Sequence, residues 1–144
     1  MRLDCKSPWK GAIRSLEYLI QQLFLPEEVD RRCSYCPSST FLRRVEIQEN
    51  PTVLVIALKR FLWANNRSRK LSDFVSCPLQ SFAFNNVTYN LAAVVNHHGS
   101  LSSGHYSATV LRDNTWIKFN DTAITRICGS RVISRESYIL LYSR

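Results

Sequence analysis

The sequence contains no long apolar run. A helix that crosses a membrane needs about 18 consecutive apolar residues, whereas the longest run here, residues 52–58, has seven. The first ten residues contain no apolar core of the kind found in secretory signals. These two absences favour an intracellular protein, cytoplasmic or nuclear, that has no membrane partner.

Cysteine is too scarce and too irregularly spaced for a disulfide framework. The chain has an odd number of cysteines, which are Cys5, Cys33, Cys36, Cys77 and Cys128. A framework needs an even set at regular spacing, so free thiols in a reducing compartment fit the sequence better. We expect Cys77 and Cys128 to be small, buried or half-buried residues.

Acidic residues are also few. Nineteen Lys and Arg residues oppose eleven Asp and Glu, which gives a net charge of +8, and five of the basic residues fall in the acid-free segment 59–70. Such a segment is either an anion-binding patch or a solvated loop between two apolar segments. We favour the loop and expect no nucleic-acid partner, because the segment lacks the aromatic interleaving on which bases stack.

One helix and several strands are predicted. Leu16, Leu19, Ile20, Leu23 and Phe24 recur on one helical face, with Ser15 as N-cap and Pro26 after the end. The strand candidates are residues 41–47, 52–58, 89–95, 106–111, 116–119 and 138–142. Residues 52–58 form an unbroken apolar run, which is typical of a strand buried on both faces. The fold class is therefore α+β, with one N-terminal helix followed by a mainly antiparallel sheet.

A single helix is too small to cover such a sheet. We therefore expect the sheet to pack on something outside this chain and to expose a large apolar patch when it is alone. The residues predicted for this patch are Val53, Val55, Leu91, Val94 and Leu140.

A hairpin places three polar residues together. Residues 106–111 and 116–119 flank a turn at 112–115, so the strand ends away from the turn meet. This brings Asn120 or Asp121 beside His105, where an amide or carboxylate can orient an imidazole that acts as general base. His97 and His98 precede a glycine in a predicted polar loop, and we interpret them as structural or solvent-facing. No carboxylate is spaced to complete a metal site with the three histidines.

The segment that contains His105 resembles the histidine box of the ubiquitin-specific protease family, papain-like cysteine proteases that cut ubiquitin from proteins. The matching residues are Tyr89, Leu91, Ala93, Val94, His97, Gly99, Gly104, His105 and Tyr106. Other family-like blocks lie at residues 58–61, 70–78, 116–121 and 137–142. The resemblance covers residues 15–144 and leaves residues 1–14 as a poorly matched leader.

The resemblance implies a papain-like fold, here the palm sheet with part of the fingers, and hydrolysis of the bond after the C-terminal glycine of ubiquitin. It implies that His105 is the general base and that Asn120 and Asp121 orient it. It also implies substrate-binding roles for Gly104, which permits close approach of the substrate tail, and for Tyr106, which braces the site together with Trp116. We favour Asn120 as the direct partner of His105. The implied partners are ubiquitin and ubiquitinated proteins.

No segment of this sequence resembles the family block that carries the nucleophilic cysteine. The chain therefore looks like the C-terminal part of the catalytic domain, which needs an N-terminal half for activity and is expected to be inactive alone. The alternatives are a non-catalytic ubiquitin-interaction module and a truncated gene product.

The pair Cys33 and Cys36 matches one half of the family's zinc-binding fingers. A structural zinc needs four ligands, and the second pair has no counterpart in this sequence, although Cys5 is a candidate third ligand. We therefore predict no cofactor.

Overall fold

The computed structural model describes residues 1–5, 14–37, 39–64 and 67–144. In these ranges the backbone forms one α-helix, α1 (Leu16–Phe24), one 3-10 turn (Gly129–Arg131) and fourteen strands. In chain order the strands are β1 (Arg2–Asp4), β2 (Arg14–Ser15), β3 (Glu27–Asp30), β4 (Thr40–Arg43), β5 (Val53–Lys59), β6 (Phe61–Ala64), β7 (Arg67–Lys70), β8 (Val75–Ser76), β9 (Phe82–Phe84), β10 (Val87–Gly99), β11 (Gly104–Arg112), β12 (Thr115–Asn120), β13 (Ala123–Ile127) and β14 (Ser137–Ser143). No helix in these ranges has both the length and the apolar character that crossing a membrane demands.

Helix α1 confirms the sequence prediction at both ends. The Ser15 hydroxyl oxygen accepts a hydrogen bond from the Tyr18 N–H at 3.1 Å, which satisfies one donor of the first turn. Leu25 is extended, as expected of a residue that precedes a proline, and the helix therefore stops before Pro26. Its apolar face packs into the core through Leu16, Leu19 and Ile20.

Eight strands form the main sheet, in the order β1-β5-β14-β10-β11-β12-β13, with β9 paired to the other end of β10. Every pairing is antiparallel except that of β1 with β5. Three two-stranded sheets accompany it: parallel β2–β8 and antiparallel β3–β4 and β6–β7. The predicted α+β class, with one helix and a mainly antiparallel sheet, is confirmed.

The two faces of the main sheet differ in burial. Along β5, Leu54, Ile56 and Leu58 are buried, whereas Val53 and Val55 are 50% and 46% exposed. We call these two sides the covered face and the open face. The prediction that β5 is buried on both faces is wrong, because α1 packs on the covered face alone and an unbroken apolar run does not reveal which face is covered.

Strand register extends this division across the sheet. Leu91, Val94 and Leu140 lie on the covered face and are fully buried, so their predicted exposure is wrong. Val53 and Val55 do belong to an apolar surface. The side chains that share the open face with them are Ala57, Ala93, Val95, Ala108, Val110, Ile117, Phe119, Ile124, Ile139 and Leu141.

Adjacent positions on β5 test this assignment. Ile56→Ala is expected to lower the free energy of unfolding by about 2–5 kcal/mol, because it opens a cavity in the core beneath the covered face. Val55→Ala is the matched control and should cost less than about 1 kcal/mol, since this side chain is half exposed. Urea denaturation of the two variants measures the difference. Equal costs would contradict a sheet with only one covered face.

Several strand boundaries differ from the predictions. β4 ends at Arg43 rather than at residue 47, because its partner β3 begins at Glu27, directly opposite Arg43. β10 runs to Gly99, so His97 and His98 lie in a strand and not in a loop. The segment set apart as a leader contains β1, which pairs with β5 at the edge of the main sheet.

The basic segment 59–70 is not a continuous exposed patch. Arg60 is fully buried and donates hydrogen bonds to the carbonyl oxygens of Ser137 (2.6 Å), Leu71 (3.1 Å) and Asp73 (2.8 Å). Lys70 forms an ion pair with Glu136 and donates to the carbonyl oxygen of another strand. These two cations are therefore engaged inside the protein. Residues 67–70 form β7, which pairs with β6, instead of the favoured loop, and residues 65–66 of that loop lie outside the described residues.

Candidate active site

The loop before β11 brings the chain back beside β10. Gly99 and Gly104 pair at the last position of the β10–β11 ladder, and His98 lies opposite His105 at the position before. Gly99 has φ +103°, a conformation that side chains rarely adopt, and a Cβ there would lie 2.5 Å from the Ser103 carbonyl oxygen. The loop is closed by a backbone hydrogen bond from Ser100 to Ser103 at 2.8 Å. His105 is thereby fixed at the start of a strand in the centre of the sheet.

The β11–β12 hairpin delivers the partner of His105. A two-residue turn joins the strands, with φ 46° at Asp113 and 57° at Asn114, as the hairpin prediction requires. At the far end, His105 Nε2 lies 2.5 Å from Asn120 Oδ1. Because an amide oxygen only accepts, Nε2 carries the proton in this arrangement. Nδ1 has no hydrogen-bond partner among the described residues and keeps its lone pair.

Asp121 lies farther from the imidazole. Its Oδ2 is 3.8 Å from His105 Nε2, beyond hydrogen-bond distance, and its side chain is 78% exposed. It adopts φ 51° in the turn between β12 and β13. The structure thus brings both predicted residues to His105 and gives Asn120 the direct contact. Their catalytic roles stay predictions.

Gly104 and Tyr106 flank His105, and both lie against the side chain of His97. A Cβ on Gly104 would overlap the imidazole of His97, so the absence of a side chain here is a packing requirement. Tyr106 is 55% exposed, and its ring centroid lies 4.7 Å from that of His97. Tyr106 is accessible to a ligand, whereas the predicted role of Gly104 in admitting the substrate tail stays untested.

His97 supports the strand that carries the site. It is buried, and its ring also packs against Phe61 and Tyr138 with centroids 5.3 and 6.2 Å away. Burial and the nearby Lys70 ammonium lower the pKa of His97, which favours the neutral ring. Its carbonyl oxygen accepts from Lys70 Nζ at 2.5 Å. The contact between Lys70 and His97 was not predicted, because these residues are 27 positions apart and no local pattern links them.

No cysteine is placed to act with His105. All five cysteines lie within the described ranges, and none of their sulfur atoms forms a hydrogen bond with this imidazole. Burial raises the pKa of Cys5, and raises that of Cys77 to about 12, so both stay thiols. Cys128 is exposed, contrary to expectation, and a hydrogen bond with the Ser130 hydroxyl lowers its pKa.

The Cys33–Cys36 pair lies between β3 and β4. Cys36 is exposed and Cys33 half-buried, and the Tyr35 N–H donates to Cys33 Sγ at 3.4 Å, which lowers the pKa of that thiol. Within the residues that the structure covers, no three His, Cys, Asp or Glu side chains form a group that could hold a metal ion. The pair offers two sulfur ligands, and the donor set found here does not fit a four-ligand zinc site.

Comparison with known proteins identifies the family. The sequence profile described as "Ubiquitin carboxyl-terminal hydrolase" matches residues 2–142. Ubiquitin carboxyl-terminal hydrolase 2 of Gallus gallus is 36% identical over 137 residues, which cover 84% of this chain and 38% of that protein. Ubiquitin carboxyl-terminal hydrolase 3 of Homo sapiens is 31% identical over 157 residues, which cover 95% of this chain and 30% of that protein. The chain therefore belongs to the ubiquitin carboxyl-terminal hydrolase family, and it carries the histidine-box part of the catalytic domain.

Solved structures agree with this assignment. The SAGA Ubp8/Sgf11/Sus1/Sgf73 DUB module bound to ubiquitin aldehyde contains a chain with a TM-score of 0.77 and 27% identity. The match covers 99% of this chain and 35% of that one. A second structure of the SAGA Ubp8/Sgf11/Sus1/Sgf73 DUB module gives a TM-score of 0.72 at 26% identity. The predicted ubiquitin-specific protease fold is confirmed, and this chain spans about a third of the length of each of these relatives, from 30% to 38%.

Proposed function

We propose that this chain supplies the general base and its orienting amide to a ubiquitin-specific cysteine protease. The observation that carries the proposal is the His105 Nε2–Asn120 Oδ1 contact, which leaves Nδ1 without a hydrogen-bond partner among the described residues. A base for a thiol needs this arrangement: one nitrogen held by a neighbour and the other directed at the nucleophile. Family membership and the ubiquitin-aldehyde-bound neighbour support ubiquitin as the substrate protein.

The proposed reaction has two stages. His105 Nδ1 takes the proton from a cysteine supplied by an N-terminal half, and the thiolate attacks the carbonyl carbon of ubiquitin's last glycine. The imidazolium then gives its proton to the departing lysine or peptide amine, which leaves an acyl-enzyme. Water, deprotonated by the same imidazole, attacks this thioester and releases the ubiquitin carboxylate and the thiol. Asn120 holds the ring through both stages.

The proposed roles of the other site residues are based on their positions relative to His105. Tyr106 is exposed beside the histidine and is proposed to contact the ubiquitin tail together with the Gly104 backbone. Asp121 is proposed to act on the imidazole through water, since its carboxylate lies 3.8 Å away. Residues 15–144 are proposed as the palm and fingers part of the domain, to which β1 also contributes a strand. The chemistry requires no metal.

The isolated 144-residue chain is expected not to release the fluorophore from a ubiquitin C-terminal fluorogenic substrate above the buffer rate. An imidazole without a thiolate beside it has no nucleophile to activate. Joining the chain to the cysteine-bearing half of a family member should create turnover, and a Cys→Ala variant of that half is the control. Turnover by the isolated chain that disappears with Cys5→Ala would contradict this assignment.

A second function is favoured by the lack of any cysteine sulfur against His105. The chain would then be a ubiquitin-interaction module that binds and does not cut. Titration of the isolated chain with ubiquitin, followed by calorimetry, measures such binding. Binding by the chain, combined with no turnover after an N-terminal half is joined to it, would favour the module over the enzyme.

A further inference from the structure

A large cavity lies on the far side of the molecule from His105. It is formed by one face of α1, the segment that precedes β5, and strand β9, and its volume is about 620 Å³. This volume lies within the range of ligand-binding clefts, roughly 300–1,000 Å³. The residues that line it are Glu17, Ile20, Gln21, Phe24, Glu46, Ile47, Phe82, Ala83, Phe84 and Asn85. We call it the α1–β9 cavity.

The cavity is remote from the histidine site. Phe84 pairs with Val87 at the first residue of β10, whereas His105 pairs with His98 near the last. Eleven residues of strand separate the two positions, a distance of roughly 35 Å at the rise of an extended strand. A ligand here would therefore not contact His105.

The wall of the cavity is aromatic and belongs to the core. Phe82 and Phe84 are 1% and 6% exposed, and their stacked rings have centroids 6.2 Å apart. Phe24 of α1 lies 6.4 Å from Phe84. Because Phe82 and Phe84 are almost fully buried in the core, this apolar wall is preformed and a ligand does not have to order it.

The polar groups of the cavity are acidic or neutral. Glu17 and Glu46 contribute carboxylates, and among the described residues that line the cavity there is no Lys, Arg or His. Across the described residues, neither carboxylate has a hydrogen bond or ion pair. The negative charge is local to the cavity, since the chain as a whole has a net charge of +8. An apolar wall beside two unpaired carboxylates is complementary to a ligand with an apolar body and a positive charge.

The edge of β9 indicates that the ligand is a peptide. Among the described strands β9 pairs only with β10, so its other edge is open beside the cavity. Phe84 and Val87 close a two-residue turn and form a hydrogen-bonded pair, which makes Ala83–Thr88 the next, non-hydrogen-bonded pair. The N–H and C=O of Ala83 therefore point away from β10 and are free to pair with an extended segment.

We propose that the α1–β9 cavity binds an extended segment of a partner protein, in which a large apolar residue is followed within one or two positions by lysine or arginine. The apolar side chain lies against Phe82 and Phe84. The cationic side chain reaches Glu17 and Glu46, and the backbone of the segment pairs with Ala83.

Two labelled peptides test the proposal on the 144-residue chain. One is an acetylated, amidated hexapeptide with the core tryptophan-lysine-lysine, and the other replaces both lysines by glutamine. Fluorescence anisotropy should show at least about tenfold tighter binding of the lysine peptide, since only that peptide compensates the carboxylates. Equal affinities, or no binding of either peptide at about 1 mM, a concentration that detects even weak complexes, would overturn the proposal.

Variants locate the binding. Glu17→Gln and Glu46→Gln should each weaken the lysine peptide at least about threefold and leave the glutamine peptide unchanged. Glu28→Gln is the matched control, because it removes the same charge from an exposed position outside the cavity. Ala83→Pro removes the N–H on the open edge of β9. A proline is tolerated at such an edge, because this N–H does not pair with β10. The substitution should abolish binding of both peptides. Thermal melts establish that each variant folds.

The same measurements distinguish other ligands. Competition by benzylamine as strong as that by the lysine peptide would show that the cavity takes a small organic cation, which would overturn the peptide assignment. Unchanged binding in Glu17→Gln, Glu46→Gln and Ala83→Pro would show that the peptide binds outside the cavity, which would also overturn the proposal. The proposal does not depend on deubiquitination, because no readout involves His105.

Discussion

His105→Ala is expected to lower kcat/KM for a ubiquitin C-terminal fluorogenic substrate by at least about 10³-fold, when this chain is joined to a cysteine-bearing family half. The imidazole both activates the thiol and protonates the leaving amine, so its removal affects the formation and the breakdown of the intermediate. Ubiquitin affinity should change less than about threefold, because the ring acts on the reacting bond and contributes little to ground-state binding.

His98→Ala is the matched control for this prediction. His98 lies directly opposite His105 on β10, and its hydrogen bond with the Ser107 hydroxyl is long, at 3.4 Å. Its loss should change kcat/KM by less than about tenfold, as expected for a residue outside the catalytic contacts. A His105→Ala variant that keeps more than about a tenth of the rate would exclude His105 as the general base.

Local patterns in the sequence predicted the elements that position the site. The apolar spacing around Leu19 and Ile20 placed α1, because a helical face repeats within a few residues. The turn at Asp113 and Asn114 fixed the register of β11 and β12, and that register brings Asn120 to His105. Both features depend on neighbours close in sequence, which explains why both were predictable.

Features that depend on distant partners were not predictable in the same way. The apolar run of β5 gave no indication of which face is covered, since pairing with β14 and packing under α1 decide it. Arg60 is one of several cations in a basic segment, and its burial depends on three carbonyl groups, the most remote at Ser137. The contact of Lys70 with His97 likewise joins β7 to β10 across the structure.

The residues that line the α1–β9 cavity could not be predicted from the sequence either. Phe82 and Phe84 alternate in a short strand, and nothing local indicates that Glu17 and Glu46 lie beside them. The segment 44–47 was predicted as strand because its apolar and polar residues alternate. It leaves the β3–β4 ladder instead, since β3 has no residues left to pair with it, and Glu46 and Ile47 then line the cavity.

The relative importance of Asn120 and Asp121 is the remaining question about the site. Side-chain alternation along a strand does not settle the question, because Asn120 is the last residue of β12 and Asp121 lies in the following turn with φ 51°. The distances decide which residue holds the direct position at the imidazole. The structure gives this position to Asn120, with 2.5 Å against 3.8 Å for Asp121. Asn120→Ala should therefore lower kcat by about 10²–10⁴-fold in the joined enzyme, the scale seen when an orienting partner of a catalytic histidine is lost.

Conservative variants separate orientation from charge. Asn120→Asp keeps an acceptor at the same place and should restore most of the activity lost in Asn120→Ala. Its carboxylate favours the imidazolium, so the acidic limb of the kcat/KM profile should move to higher pH. Asp121→Asn keeps a residue that tolerates φ 51° and removes only the charge, and its effect should be the smaller one. If Asn120→Ala stays within about threefold of the unmodified enzyme while Asp121→Asn abolishes turnover, the carboxylate and not the amide orients His105.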